Sequence, residues 1–129
     1  MNEAYIPEGY AQVTPFLTVD GANKLLNFLI RVFDAQIMDK TERSDGKLAH
    51  ATVRIGNSTI ELAEATDQFD AMKSAVHIFV PNVDEIHQRA IQNGGQELHG
   101  PMEMEYGERA SAIQDMAGNH WYIATHQGS

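Results

Sequence analysis

A set of residues on the predicted strands combines polar side chains with aromatic rings. Successive side chains of a strand point to opposite faces of the sheet, so the alternation of polar and apolar residues predicts which ones share a face. The face away from the predicted helices collects Thr14, Phe16, His50, Thr52, Arg54, Glu61, His77, Phe79 and Tyr122. A few polar groups among aromatic rings are typical of a small-molecule pocket.

Glu61 and His77 carry the most versatile chemistry of this set. The Glu61 carboxylate could serve as a general base, contact a ligand, pair with Arg54 or lie in solvent. The His77 imidazole could bind a metal ion, hydrogen-bond a substrate or be a satisfied core histidine. The residues alone leave these alternatives open. His50 is expected to be a polar pocket group rather than a metal ligand.

Two runs of secondary structure position these residues. The first run has a strand over 13–19, a helix over 21–33 and strands over 36–43, 47–55 and 58–63. The second has a strand over 75–80, a helix from 84 to 93–95 and strands over 96–104, 109–115 and 119–125. Pro15 predicts an edge strand or a bulge, and Asp20 is expected to cap the first helix. His87 and His99 are expected at the surface.

The two runs share the order strand, helix, strand, strand, strand, and their residues align. Residues 13–17 align with 76–80, Gly56 with Gly118, and residues 61–63 with 122–124, at offsets of 63, 62 and 61. Such a repeat fits two modules packed as a pair. We therefore expect a single domain over 1–129 with module one at about 10–64, a linker at about 65–73 and module two at about 74–126.

Composition excludes several classes of function. The chain has 129 residues, a net charge of −9 and no cysteine. The negative charge argues against nucleic-acid binding, which needs a positive surface. Without cysteine, any metal ion would sit on His, Asp, Glu or water. No apolar run approaches the roughly 20 residues of a membrane helix. With no signal-peptide pattern at the N-terminus, we expect a cytoplasmic protein without a membrane partner.

The chain resembles the vicinal oxygen chelate superfamily, which includes glyoxalase I, bleomycin-resistance proteins, fosfomycin-resistance enzymes and extradiol dioxygenases. The likeness covers about 12 to 126 and is strongest toward the PhnB-like branch. The segments that carry it are 14–19, 50–56, 77–80, 106–109 and 115–121. The resemblance implies an α+β fold of two tandem βαβββ modules, each a mixed, curved sheet with a helix outside.

In metal-dependent members of this superfamily, the first and last strands of each module supply four metal ligands. Carried over by position, these are Thr14, Glu61, His77 and Tyr122, of which Glu61 and His77 keep good ligand chemistry. The resemblance thus implies either a divalent metal (Zn, Ni, Fe or Mn) on His77 and Glu61, or no metal. With a metal, Glu61 would be the catalytic base.

The same resemblance predicts what lines a ligand pocket. The ligand-binding candidates are Thr14, Phe16, His50, Phe79, Arg109 and Tyr122. Arg109 either clamps an anionic group at the pocket mouth or is a surface arginine paired with Glu105 or Glu108.

Two functions follow as hypotheses. One is a metal-assisted, glyoxalase-like lyase or isomerase. The other is a metal-free small-molecule binder of the bleomycin-resistance kind. In either case we expect a small-molecule partner and a homodimer, because each small sheet leaves an edge that pairing would cover.

Overall fold

The computed structural model of the protein describes residues 4–128. The first module contains β1 (Phe16–Val19), α1 (Ala22–Phe33), β2 (Gln36–Glu42), β3 (Leu48–Ile55) and β4 (Ser58–Glu64). The second contains β5 (Ala75–Phe79), α2 (Val83–Gln92), β6 (Gln96–Glu103), β7 (Glu108–Gln114) and β8 (His120–His126). All these bounds lie within three residues of the predicted ones. Neither helix is long and apolar enough to cross a membrane.

Each module forms one four-stranded mixed sheet, which confirms the predicted α+β fold of two βαβββ modules. The strand order is β1-β4-β3-β2 in the first sheet and β5-β8-β7-β6 in the second. β1 is parallel to β4 and β5 is parallel to β8, while the remaining pairs are antiparallel. As Pro15 indicated, β1 is an edge strand. It begins one residue after that proline, whose carbonyl accepts a hydrogen bond from the Glu61 amide at 2.9 Å.

The apolar faces of both sheets and the two helices share one hydrophobic core. Val53 and Leu62 of the first sheet and Trp121 and Ile123 of the second are fully buried, as alternation predicted. The two halves meet where the Phe33 ring packs on Trp121, with ring centroids 4.9 Å apart. The polar faces of the sheets therefore point away from this shared core.

Contacts between the helices also join the modules. α1 packs against α2, and the Arg89 guanidinium of α2 donates to the Asp34 carboxylate at 3.3 Å just beyond the end of α1. Arg89 also donates to the Val32 carbonyl at 3.4 Å. The modules are thus held together on their helix sides.

The predicted cap of α1 by Asp20 is wrong. The N-cap is Gly21, whose φ of 85° suits glycine. The side chain that accepts hydrogen bonds from the first amides of α1 comes from the end of β4 instead. The Glu64 carboxylate accepts hydrogen bonds from the amides of Gly21 at 3.0 Å and Ala22 at 2.9 Å. Burial raises the pKa of Glu64, but these hydrogen bonds and the charges of Lys47 and Arg43 outweigh it, so the pKa lies below its usual value.

A buried carboxylate organises the turn between β7 and β8. Asp115 accepts hydrogen bonds from the amides of Ala117 and Asn119 and from the Trp121 indole at 2.8 Å. Asn119 in turn accepts from the Ser74 amide just before β5. The segment 115–121, which contributes to the family resemblance, therefore has a structural role in holding Trp121 in the core.

His87 does not lie on the surface as expected. His87 belongs to the buried face of α2, because it follows Val83 by one helical turn. Its Nδ1 is 2.8 Å from the Ser111 hydroxyl and its Nε2 is 2.7 Å from a Glu97 carboxylate oxygen. His99 lies within β6 and is half-buried.

Replacing Glu64 by Ala is expected to lower the free energy of unfolding by about 1 kcal/mol at pH 7, because α1 loses its N-terminal acceptor. Since the folded-state pKa is lowered, this contribution is present above the ordinary glutamate value of 4.5 and is lost as pH falls through the folded-state pKa. Urea unfolding at several pH values measures it. Glu105→Ala, at an exposed position, is the control. A difference between wild type and Glu64→Ala that persists unchanged at pH 2.5 (roughly two units below the usual pKa) would contradict this account.

Candidate functional site

The polar face of the first sheet, called here the first face, brings together Phe16, His50, Thr52 and Glu61. Strand register explains this, because Glu61 of β4 pairs with both Phe16 of β1 and Thr52 of β3. The His50 Nε2 atom lies 2.7 Å from a Glu61 carboxylate oxygen, and the Phe16 ring centroid is 5.8 Å from that of His50. Three of the predicted site residues thus form one cluster.

The His50–Glu61 hydrogen bond is reachable from solvent, with the two side chains 34% and 26% exposed. If Nε2 donates to Glu61, Nδ1 of His50 stays free as an acceptor. The second Glu61 oxygen can accept a hydrogen bond from a ligand. A hydrogen-bonded imidazole and carboxylate can also take up and release a proton, so the pair supports either binding or acid–base chemistry.

Residues 4–14, called here the N-terminal arm, lie over the first face. The Tyr10 hydroxyl donates to the Thr52 hydroxyl at 3.0 Å. The Gly9 carbonyl accepts from the Thr59 hydroxyl at 2.8 Å and from the Arg54 guanidinium at 2.9 Å. Gly9 has a φ of 87°, which permits this close approach. Sequence reasoning missed Tyr10, since the only signal was an aromatic residue in a segment without alternation.

A pocket of about 420 Å³ lies between the N-terminal arm and the first face. Its lining includes Tyr5, Pro7, Tyr10, Gln12, Thr14 and Glu61. Thr14 is half-buried there, outside the strand, so this predicted residue does lie near Glu61. The volume is within the range of small-molecule sites.

The polar face of the second sheet, called here the second face, carries the other predicted residues. His77 of β5 pairs with Tyr122 of β8, and the His77 and Phe79 ring centroids are 4.7 Å apart. Phe79 is 62% and Tyr122 41% exposed. This face therefore offers aromatic surface to solvent.

Two further pockets, of about 440 and 430 Å³, lie where the modules meet. Both are bounded by Ser58 and Ile60 of the first module and by Val76 and His77 of the second. Arg54 lines the larger one. His77 is thus accessible from the module junction as well as from the second face.

Arg109 lies on neither face, because it points to the helix side of β7. Its Nε and Nη2 donate to the two Asp84 carboxylate oxygens at 2.7 and 2.9 Å, and its Nη1 donates to Glu103 at 3.4 Å. The Arg109 hydrogen bond lowers the pKa of Asp84, and Asp84 in turn raises the pKa of Arg109. Its partners are therefore not Glu105 or Glu108. Its role as an anion clamp stays a prediction, and the structure does not bring it to the other candidates.

The strand registers revise the alignment of the two halves. Phe16 pairs with Glu61 in the first sheet, whereas His77 pairs with Tyr122 in the second. If Glu61 is equivalent to Tyr122, their strand partners Phe16 and His77 must be equivalent as well. The equivalence of Thr14 with His77 therefore cannot hold together with that of Glu61 with Tyr122. A phenylalanine has no atom that binds a metal ion.

The donor set does not fit a metal centre within one chain. Glu61 lies on the first face and His77 on the second, and one Glu61 oxygen already bonds His50. In residues 4–128 no three His, Asp or Glu side chains converge on a common point that could hold a metal ion. Thr14 and Tyr122 add no strong donor.

Replacing Tyr10 by Phe is expected to loosen the N-terminal arm, because it removes the hydrogen bond to Thr52. Amide hydrogen exchange in residues 5–12 should accelerate about fivefold, as the loss of one hydrogen bond implies. Tyr5→Phe is the control in the same segment, since Tyr5 is 68% exposed. Equal exchange in the two variants would show that the Tyr10 hydroxyl does not hold the arm.

Comparison with known proteins identifies the family. The model of the Glyoxalase/Bleomycin resistance protein/Dioxygenase superfamily matches residues 9–123. An uncharacterized protein of Mycobacterium bovis is 30% identical over 122 residues, covering 86% of this chain and 80% of the relative.

Two solved structures illustrate the shared fold. TioX from Micromonospora sp. ML1 gives a TM-score of 0.76 at 18% identity, over 90% of this chain and 98% of TioX. A Bacillus cereus PhnB protein, described as a putative 3-demethylubiquinone-9 3-methyltransferase, gives a TM-score of 0.65 at 18% identity, over 89% of this chain and 99% of the PhnB protein. At such identities the structures show the fold alone, and the PhnB-like branch stays a prediction. Because the family model matches residues 9–123, the chain belongs to the glyoxalase/bleomycin resistance protein/dioxygenase superfamily.

Proposed function

We propose that this protein binds a small organic molecule on the first face, beneath the N-terminal arm, without a metal ion. The observation that carries the proposal is the His50–Glu61 pair, 2.7 Å apart, beside the exposed Phe16 ring. The arm pocket of about 420 Å³ adjoins Glu61, so a ligand there would reach a carboxylate oxygen.

The chemistry of the first face favours a planar ligand with N–H or O–H donors. Phe16 is 50% exposed and offers a ring face for stacking. Glu61 and the free nitrogen of His50 are acceptors, and Thr14 adds a hydroxyl at the pocket wall. The Arg54 guanidinium donates to the Gly9 carbonyl, so this cation helps to hold the arm.

A homodimer would complete the pocket. β1 and β5 are both edge strands, and Phe16 and Phe79 project from them with half or more of their surface exposed. Pairing of such edges between two chains would bury this apolar surface and set the second face of one chain opposite the first face of its partner. Sedimentation of the full chain at micromolar concentration tests whether the homodimer forms. We also expect the protein to work in the cytoplasm.

The binding proposal predicts a specific loss of affinity. A thermal-shift screen of planar amines, α-ketoaldehyde adducts and small oxyanions identifies a ligand, and calorimetry gives its Kd. Glu61→Gln removes the charged acceptor of a ligand hydrogen bond, and His50→Gln removes the imidazole that hydrogen-bonds Glu61. Each variant should therefore weaken binding about tenfold or more.

Arg109→Met is the matched control, since Arg109 lies on the helix side, and it should leave Kd unchanged. Dialysis against EDTA should also leave Kd unchanged. Affinity that disappears with EDTA and returns with Zn²⁺ would contradict the metal-free proposal.

The same pair favours a second candidate, a lyase or isomerase that moves a proton. A carboxylate-bonded imidazole on a solvent-reachable face is the arrangement of a general base. In this case Glu61 or His50 would remove a proton next to a ligand carbonyl. NMR in D2O should then show deuterium entering the ligand at that carbon, and Glu61→Gln should abolish the exchange. A bound ligand that exchanges no carbon-bound proton is evidence for binding alone.

A further inference from the structure

Glu108, the first residue of β7, carries an unsatisfied buried atom. Its side chain is 14% exposed, and its Oε1 is buried without a hydrogen-bond partner. Among the side-chain polar atoms of residues 4–128 it is the only buried one in this condition. Buried carboxylates are normally paired, since burying an unpaired charge is unfavourable. An unpaired one on an accessible face indicates a missing partner.

Oε1 of Glu108 is closed to solvent, so a partner reaches it only where the His77 ring, which is 45% exposed, gives way. Oε1 lies 3.8 Å from the Nε2 atom of His77, too far for a hydrogen bond but close enough for one small donor group to contact both atoms. His126 of β8 pairs directly with Glu108, and the next pair on this face is small, since Ala110 of β7 pairs with Ala124. Phe79, which pairs with Ala124, adds an exposed ring at the same level.

No Lys or Arg side chain of residues 4–128 lies within 4.0 Å of the Glu108 carboxylate. His77 is the only basic side chain of residues 4–128 within 4.0 Å of the Glu108 carboxylate. The guanidinium of the next residue, Arg109, is held on the opposite face by Asp84.

We propose that the second face holds a binding site for a primary ammonium group. The ammonium nitrogen lies between Glu108 Oε1 and His77 Nε2 and donates a hydrogen bond to each. Its charge neutralises the carboxylate, and the carbon skeleton packs on the rings of Phe79 and Tyr122, which adds cation–π attraction. The net charge of −9 favours a cationic ligand over an anionic one. This site shares no residue with the first face and does not depend on the function proposed for it.

Benzylammonium chloride is the probe, because it joins a primary ammonium to one aromatic ring. The full-length protein is titrated with it, and the imidazole signal of His77, assigned with His77→Gln, is followed by NMR. We expect a saturable shift, with Kd raised about tenfold or more in Glu108→Gln, since the charged acceptor is lost. Glu105→Gln, at an exposed position near Glu108, should leave Kd unchanged.

Two further probes test the wild-type protein without any substitution. Benzyl alcohol lacks the charge, and benzyltrimethylammonium keeps the charge but has no N–H donor. Both should bind at least about tenfold more weakly than benzylammonium. Equal affinity for either probe would overturn the proposal, as would a Kd for benzylammonium that is unchanged in Glu108→Gln. Neither Glu108 nor His77 lies on the first face, so failure of the first-face proposal would leave this one standing.

Discussion

The apolar core shared by the two modules determines where every candidate functional side chain lies. α1 and α2 pack on each other and on the inner faces of both sheets, and Phe33 meets Trp121 at the centre. Burial of this apolar surface is the dominant favourable contribution to folding. Since strand side chains alternate, fixing the apolar residues inward obliges the polar ones to face outward. The first and second faces are therefore a direct consequence of the core.

The two faces have diverged although their modules share one topology. On the first face the carboxylate of Glu61 is satisfied by His50, and the N-terminal arm lies above it through Tyr10. On the second face one oxygen of the Glu108 carboxylate has no hydrogen-bond partner, and the aromatic rings are open to solvent. A carboxylate paired with an imidazole and a buried carboxylate oxygen without a hydrogen bond differ in what they can bind. Two modules of one topology thus present faces of different chemistry.

Sequence patterns predicted those parts of the structure that depend on neighbours along the chain. Alternation assigned Thr52, Glu61 and His77 to the polar faces, and the repeat predicted both modules. The sequence did not predict which side chain accepts hydrogen bonds from the start of α1, because Glu64 is 43 residues from Gly21. Nor did it predict that His87 is buried, since a histidine in a helix gives no sign of the Ser111 and Glu97 groups that satisfy it. The sequence did not fix the face of Arg109 either, since a shift of one residue along a strand reverses the face and its partner Asp84 is 25 residues away.

The sequence by itself determined the fold family, the strand faces and the absence of cysteine chemistry, because these follow from residue type and local periodicity. Tertiary structure alone decided that Tyr10 bonds Thr52 across 42 residues and that Phe16, not Thr14, lies opposite Glu61. It also decided that Arg109 is engaged by Asp84 and that Oε1 of Glu108 is left without a hydrogen-bond partner. These outcomes depend on strand register and on distances between residues far apart in the chain. Hydrogen bonds act only over about 3 Å, so they form where the packed core brings their atoms together.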